Sequence, residues 1–418
     1  MRWGNWNFFT SIKAKMEKYL REKYLKTLEE HLRGGQNLIQ VILGPRQVGK
    51  TTAIQHFLKS WTTSRAIYES ADLLSPPNVH WIEEHWQRAR EMVMRQKDAL
   101  LVLDEVQKIP RWSEAVKKFH DEDKRSNLPL RTILLGSSAL LVQRGLTESL
   151  AGRFETIYFP HWSLDECEKA FGWNLDQYLF FGGYPGGANL LLDSDYDEQR
   201  WQQYIRESLI ETVLNKDILA LTPVDKPALF RQVFQLACDH AGKILSYTKM
   251  LGQLQDAGNT TTIASYLHLL ASAQLVLPLQ KYSGSRLRQR ASSPKLIILN
   301  NALANAVLVR DFKQTLSDKA EWGHLVENGA IAHLFNRGLG SGIEIFYWHE
   351  GDIDVDVVLK RGRELIAIEI KSNGKDKGNG IHAFLQKYPN AKSLRIGGDN
   401  ADLTIEEFLK TQPEDLFI

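Results

Sequence analysis

Eight residues near the amino end, Gly44-Pro45-Arg46-Gln47-Val48-Gly49-Lys50-Thr51, fit the pattern G-x-x-x-x-G-K-[ST] without a mismatch. The chemistry open to such a run is phosphate holding. Its two glycines let backbone N–H groups turn inward around anionic oxygens. The Lys50 ammonium is a point charge for β- and γ-phosphates, and the Thr51 hydroxyl suits Mg²⁺. An apolar run, "NLIQVIL", precedes it. The stretch from Thr51 and Thr52, "TTAIQHFLKSW", reads as a helix whose positive end faces the same anion.

About fifty residues on, "ALLVLDEVQKI" ends an apolar run in Asp104 and Glu105. A buried parallel strand presents both acids at its carboxyl end, where α/β sheets place ligands. There Asp104 can hold Mg²⁺ through water and Glu105 can polarise an attacking water. A third strand, "RTILLGSSAL", ends in Ser137, whose hydroxyl can read a γ-phosphate or orient that water; a plain turn is the competing reading. Arg153, in "LTESLAGRF", stands where an arginine can reach a neighbouring subunit's nucleotide, against a salt-bridged arginine as the alternative.

A second constellation lies near the other end. "EWGHLVENGAIAHLF" predicts a helix carrying Glu327. "DIDVDVVLK" predicts a strand carrying Asp356. After a basic turn at Arg361-Gly362-Arg363, "LIAIEIKS" predicts a strand carrying Glu369 and Lys371. Asp356 and Glu369 can meet across adjacent strands and hold Mg²⁺ or Mn²⁺ through oxygens, with Glu327 completing the shell. Lys371 shares the face of Glu369 and can activate water or offset charge on a phosphorane. Cross-strand salt bridging is the competing reading.

Between these sites, residues 163–222 show apolar spacings of three and four and read as a helical lid broken by "FFGGYPGG". Residues 223–300 read as helices, then strand, turn and strand, the order of a winged helix; Thr261 and Thr262 are expected N-caps. Arg286, Arg288 and Arg290 alternate in its basic turn, followed by Lys295, and would share a face that neutralises DNA phosphates. The remaining boundaries place an N-terminal helical arm at 1–33, an α/β core at 34–162 and a C-terminal α/β domain at 301–418.

The 418 residues are too many for one core, and the 43% hydrophobic and 24% charged composition is that of a globular protein. A net charge of +2 confines nucleic-acid contact to local patches. Two distant cysteines, Cys167 and Cys238, exclude a disulfide framework and a thiolate zinc site. No apolar run suits a membrane helix or signal peptide, so a cytoplasmic location is expected.

The Gly44–Thr51 run, the Asp104-Glu105 pair, "GSSALL", "SLAGRF" and "FFGGYP" together resemble the AAA-plus ATPases of bacteria and archaea that carry a C-terminal restriction-endonuclease-like region. The resemblance runs from about residue 20 to the end and is most specific at "GPRQVGKTT" and "GGYP". It implies an α/β parallel sheet of P-loop type with a helical lid, an oligomer (a homo-hexamer by expectation), and a PD-(D/E)XK nuclease-like domain. The expected function is ATP hydrolysis with Mg²⁺ driving action on branched or broken duplex DNA. Two alternatives stand: a nucleotide-gated switch with an inert terminal domain, and a metal-dependent nuclease that uses ATP only for assembly.

Overall fold

Apolar runs without a polar face become strands covered on both sides. In the computed structural model, which describes residues 19–34, 37–61, 65–73, 78–136, 146, 149–192, 197–219, 224–255, 258–284, 289, 292–374 and 379–418, strands β1 (Ile39–Leu43) and β3 (Ala99–Asp104) are buried at every position. With β2 (Ala66–Ser70), β4 (Leu130–Gly136) and β5 (Phe154–Tyr158) they form a parallel sheet in the order β2-β3-β4-β1-β5. The interposed β4 sets the carboxyl ends of β1 and β3 roughly 10 Å apart, two strand spacings. Helices α1 (Glu22–Arg33), α2 (Lys50–Ser60), α3 (Val79–Gln96) and α4 (Trp112–Arg125) complete this part. The α3 and α4 helices share a buried charge: Asp123 accepts from Trp86 Nε1 at 2.7 Å and Arg90 Nε at 2.6 Å. Both carboxylate oxygens are thereby used, which is what makes the burial tolerable.

The chain divides into two compact units, Leu20–Phe159 with Lys216–Thr222, and the remainder. The stretches expected as lid, winged helix and C-terminal domain fall in the second unit, apart from Lys216–Thr222. That unit begins with helices α5 (Leu164–Phe171), α6 (Leu175–Phe181), α7 (Pro185–Leu192) and α8 (Glu198–Gln203). Two π-helical turns follow, Tyr204–Ile210 and Val213–Leu219. Helices α9 (Pro227–Asp239), α10 (Tyr247–Gln253) and α11 (Thr260–Ser272) then lead into an antiparallel ribbon of β6 (Val276–Leu279) and β7 (Lys295–Ile298). The N-cap of α11 is Asn259, which accepts from Thr262 N at 2.9 Å, and not Thr261 or Thr262 as expected. Thr261 and Thr262 already lie in the first helical turn, and Asn259 stands before it with the extended backbone a cap requires.

Helices α12 (Asn301–Val307), α13 (Phe312–Ser317) and α14 (Lys319–Arg337) follow, then β8 (Glu344–Glu350), β9 (Ile353–Arg361), β10 (Glu364–Ile370), α15 (Asn379–Lys387), β11 (Lys392–Ile396) and α16 (Ile405–Lys410). The sheet order is β11-β10-β9-β8, antiparallel except for the β10–β11 pair. The expected basic turn joins β9 to β10, with Gly362 at φ 62°. Among the described residues no helix is long and apolar enough to cross a membrane.

Buried amides tie α14 to its neighbours. Asn328 accepts from Ile298 N at 2.9 Å and donates to Ile298 O at 2.8 Å and Asn301 Oδ1 at 2.7 Å. Asn301 in turn donates to Leu179 O and Leu325 O. Asn328→Ala strands these groups without partners and should cost about 2–3 kcal/mol in urea unfolding. An unchanged midpoint contradicts the clamp. His333, also on α14, is buried with Nε2 on Thr411 O at 3.0 Å, and burial holds its imidazole down to about 4. The unfolded chain takes up that proton near pH 6.5, the folded chain only near 4, so stability falls as pH drops through this window. The loss should approach about 3 kcal/mol, and His333→Gln should flatten the slope.

Candidate functional site

The loop after β1 is shaped by what lies beside it. A Cβ on Gly44 would come within 2.0 Å of Phe159 O, so no other residue fits where the loop leaves the sheet. Gly49, at φ 86°, opens α2 in a conformation that strains residues with a side chain. The Lys50 ammonium is buried and donates to Gly44 O at 2.8 Å and Pro45 O at 2.7 Å. Burial draws it down to about 8, although Glu105 and Asp104 pull the other way. It is a buried cation held by two carbonyl oxygens, so an anion entering the loop would relieve it.

The expected acids stand where the sheet puts them. Asp104 is the last residue of β3; its Oδ2 accepts from Thr51 Oγ1 at 3.1 Å and Tyr68 Oη at 2.6 Å, and its Oδ1 from Glu105 N at 2.9 Å. Glu105 has φ 54°, a left-handed conformation that costs a non-glycine residue energy and occurs often at functional sites. Burial pushes its carboxyl above the usual carboxylate range, against the Arg46 guanidinium. Gln107 Nε2 donates to its Oε2 at 2.6 Å. Lys50, Thr51, Asp104 and Glu105 are therefore brought together, and the Thr51 hydroxyl with the Asp104 carboxylate is an all-oxygen pair suited to a hard cation. Ser137 lies outside the described residues.

Two side chains here have no motif to announce them. Tyr68 comes from β2 and holds Asp104; its register partner is Val102, two residues before Asp104, a placement that follows only once β2 is paired with β3. Asp217 grips Arg46 by two bonds, Nε to Oδ2 at 2.5 Å and the second guanidinium nitrogen to Oδ1 at 2.6 Å, from 171 residues away. Arg46 thus ties the π-helical turn that carries Asp217 to the loop.

Arg153 forms the salt bridge that was its competing reading. It immediately precedes β5 at the end where β1 begins, with Ile39 N donating to its carbonyl, so it sits at the opposite edge from the glycine loop. Its guanidinium is bidentate to Asp121, at 2.7 and 2.9 Å. A role toward a neighbouring subunit would have to break that pair.

Residues 36–168 match the family model described as an AAA domain. That match spans about a third of the chain. Beyond the AAA domain, residues 172–314 and 322–412 match two models described only as domains of unknown function, DUF8612 and DUF4143. Among solved structures, a Walker-type ATPase of Pyrococcus abyssi shares 15% identity at a TM-score of 0.51, over 69% of this chain and 95% of that one, a likeness of fold alone. The Orc1 protein of Aeropyrum pernix in complex with DNA shares 14%, over 71% and 94%. The RuvB Holliday junction branch migration motor of Thermotoga maritima shares 13%, over 62% and 87%. Both have TM-scores of 0.30, too low to equate parts. No match was found among curated proteins.

The second constellation is also assembled, but with an added member. Glu327 on α14, Asp356 on β9 and Glu369 on β10 gather around two lysines. Lys371 lies 2.7 Å from Glu369 Oε1 and 3.8 Å from Asp356 Oδ2, as the salt-bridge reading anticipates. Lys295, expected on an exposed DNA-facing ribbon, is instead buried, 2.5 Å from Glu327 Oε1 and 3.8 Å from Asp356 Oδ1. Burial alone would lower that ammonium, but Glu327 and Asp356 outweigh it and hold it above the ordinary lysine range. Asp356 Oδ2 also accepts from Ile370 N at 2.8 Å. The expected metal set of Glu327, Asp356 and Glu369 is thus engaged with cations of the chain's own. Among the described residues no three His, Cys, Asp or Glu side chains converge to hold a metal. Two unit charges 4 Å apart repel by about 4 kcal/mol at an effective dielectric of 20, and a divalent ion doubles that. These residues do not fit a metal while Lys295 stays in place. Arg286, Arg288 and Arg290 lie outside the described residues.

Replacing Asp217 by Ala removes a charge-assisted pair worth about 1.5–3 kcal/mol. Amides of residues 213–219 should then exchange about 10- to 100-fold faster, read by hydrogen–deuterium exchange mass spectrometry. Unchanged exchange means that the pair does not hold the segment.

Proposed function

We propose that the chain binds ATP in the Gly44–Thr51 loop and hydrolyses it, using the energy to act on DNA as a homo-oligomer. The observation that carries this reading is the 3.1 Å contact between the Thr51 hydroxyl and the Asp104 carboxylate, which joins the phosphate loop to the acid strand. The amides of Gly44, Pro45, Arg46, Gln47, Val48 and Gly49, with Thr52 behind them, cradle the phosphates. Lys50 exchanges two carbonyl oxygens for phosphate oxygens, a better match for a buried ammonium. Thr51 and Asp104 would hold the Mg²⁺ that accompanies the triphosphate, and that ion when bound draws charge from the phosphate oxygens. Half-buried Glu105, its carboxyl raised by desolvation, would orient water and take its proton. Ser137 and Arg153 keep the sensing and neighbour-reaching roles as parts of this proposal.

The DNA arm of the proposal rests on the helix–helix–ribbon order of α10, α11, β6 and β7, read as a winged helix, and on the alternating arginines 286, 288 and 290 in its turn. A second reading has support from one observation: with Asp356 set against Lys295 and Lys371, the nuclease-like part is inert and the protein is a nucleotide-gated switch.

Phosphate release with and without duplex and four-way-junction DNA separates the two. A DNA-acting ATPase is stimulated several-fold and loses that stimulation when Arg286, Arg288 and Arg290 become Ala; turnover indifferent to DNA supports the switch. In both readings Lys50→Ala should abolish nucleotide binding. Glu105→Gln should bind ATP yet turn over at least about 100-fold more slowly. Normal turnover in Glu105→Gln removes Glu105 from the chemistry.

A further inference from the structure

The stretch "SSPKLIILN" puts a lysine at the head of a strand that is otherwise wholly apolar. All four positions of β7 are buried, and the backbone around Lys295 is pinned: Leu245 N donates to Pro294 O at 3.0 Å and Leu296 N to Lys243 O at 3.0 Å. The stem of Lys295 therefore has one direction to run, inward to the acids. Its Nζ meets three oxygens, Glu327 Oε1 at 2.5 Å, Asp356 O at 3.4 Å and Asp356 Oδ1 at 3.8 Å. Two carboxylates and a backbone carbonyl converging from a helix and a strand are the kind of donor set a hard cation uses. Here the cation is supplied by the chain.

We propose that the Lys295 ammonium is a built-in counter-ion standing where the nuclease-like fold would seat a divalent metal, so that this unit neither takes up Mg²⁺ nor cuts phosphodiesters. The proposal deepens the reading of an inert terminal domain and is independent of the nucleotide site. Two further features favour it. The Asn328 clamp on Ile298 fixes the helix of Glu327 against the strand of Lys295, so the pair is positioned by the backbone and not by a chance rotamer. Lys371 takes one oxygen of Glu369, and Ile370 N takes the far oxygen of Asp356, so each of the other two acids already faces a donor of the chain's own. Methionine at 295 would keep the stem and lose the charge, leaving Glu327, Asp356 and Glu369 with the Lys371 ammonium alone.

The test is Mn²⁺ binding by electron paramagnetic resonance on the nucleotide-free full chain, which keeps the outcome separate from that of the ATP site. Wild type and Glu369→Gln should bind the same number of Mn²⁺ ions. Lys295→Met should bind one ion more, and Lys295→Met with Glu369→Gln should lose it again. A wild-type ion that disappears in Glu369→Gln overturns the proposal, as does Lys295→Met that is folded by circular dichroism yet gains no ion. Should Lys295→Met fail to fold, Mn²⁺ anomalous diffraction from wild-type crystals decides: a peak among Glu327, Asp356 and Glu369 refutes the counter-ion, and its absence with Lys295 in place supports it.

Discussion

One carboxylate organises the first unit. Asp104 ends β3, and its two oxygens accept from the first turn of α2, from β2 and from the amide that follows it in the chain. Those bonds fix where the glycine loop lies against the acid strand, across the end of β4. They also force Glu105 to turn off the sheet in a left-handed conformation. A strand that ran on straight would carry Glu105 past the edge; the strained turn keeps it there. The loop is constrained from the other side as well, by the close approach of Gly44 to the Phe159 carbonyl.

Much of this was legible in the sequence because it is local. The glycine pattern, the apolar run ending in two acids, and the β9 turn at Gly362 are each decided within about ten residues of chain. The order Glu327, Asp356, Glu369 and Lys371 was likewise readable, and the fold does gather those side chains. What escaped is non-local. Asp217 reaches Arg46 only because the chain returns to the first unit after a long excursion, and no periodicity at 217 signals it. Tyr68 becomes a partner of Asp104 only through strand pairing.

Lys295 shows why a charge pattern misleads when burial is unknown. As text it extends a basic turn; in space β7 turns away from solvent and the side chain is enclosed. A buried lysine is tolerated only with carboxylates around it, and those are the acids that as text suggested a metal. The two expectations, Lys295 on a DNA-facing basic ribbon and an acid cluster awaiting a metal, meet in one ion pair. Arg153 teaches a smaller version of the same lesson, since Asp121 on α4 already satisfies it.

The central claim is that the loop from Gly44 to Thr51, joined to Asp104, is a site for a magnesium-bound triphosphate. Calorimetric titration of the purified chain with ATP tests it most directly, once with Mg²⁺ and once with the metal chelated. One ATP per chain is predicted, with affinity falling by about tenfold or more, some 1.4 kcal/mol, when Mg²⁺ is removed. No binding in either condition, or binding indifferent to Mg²⁺, would contradict the account.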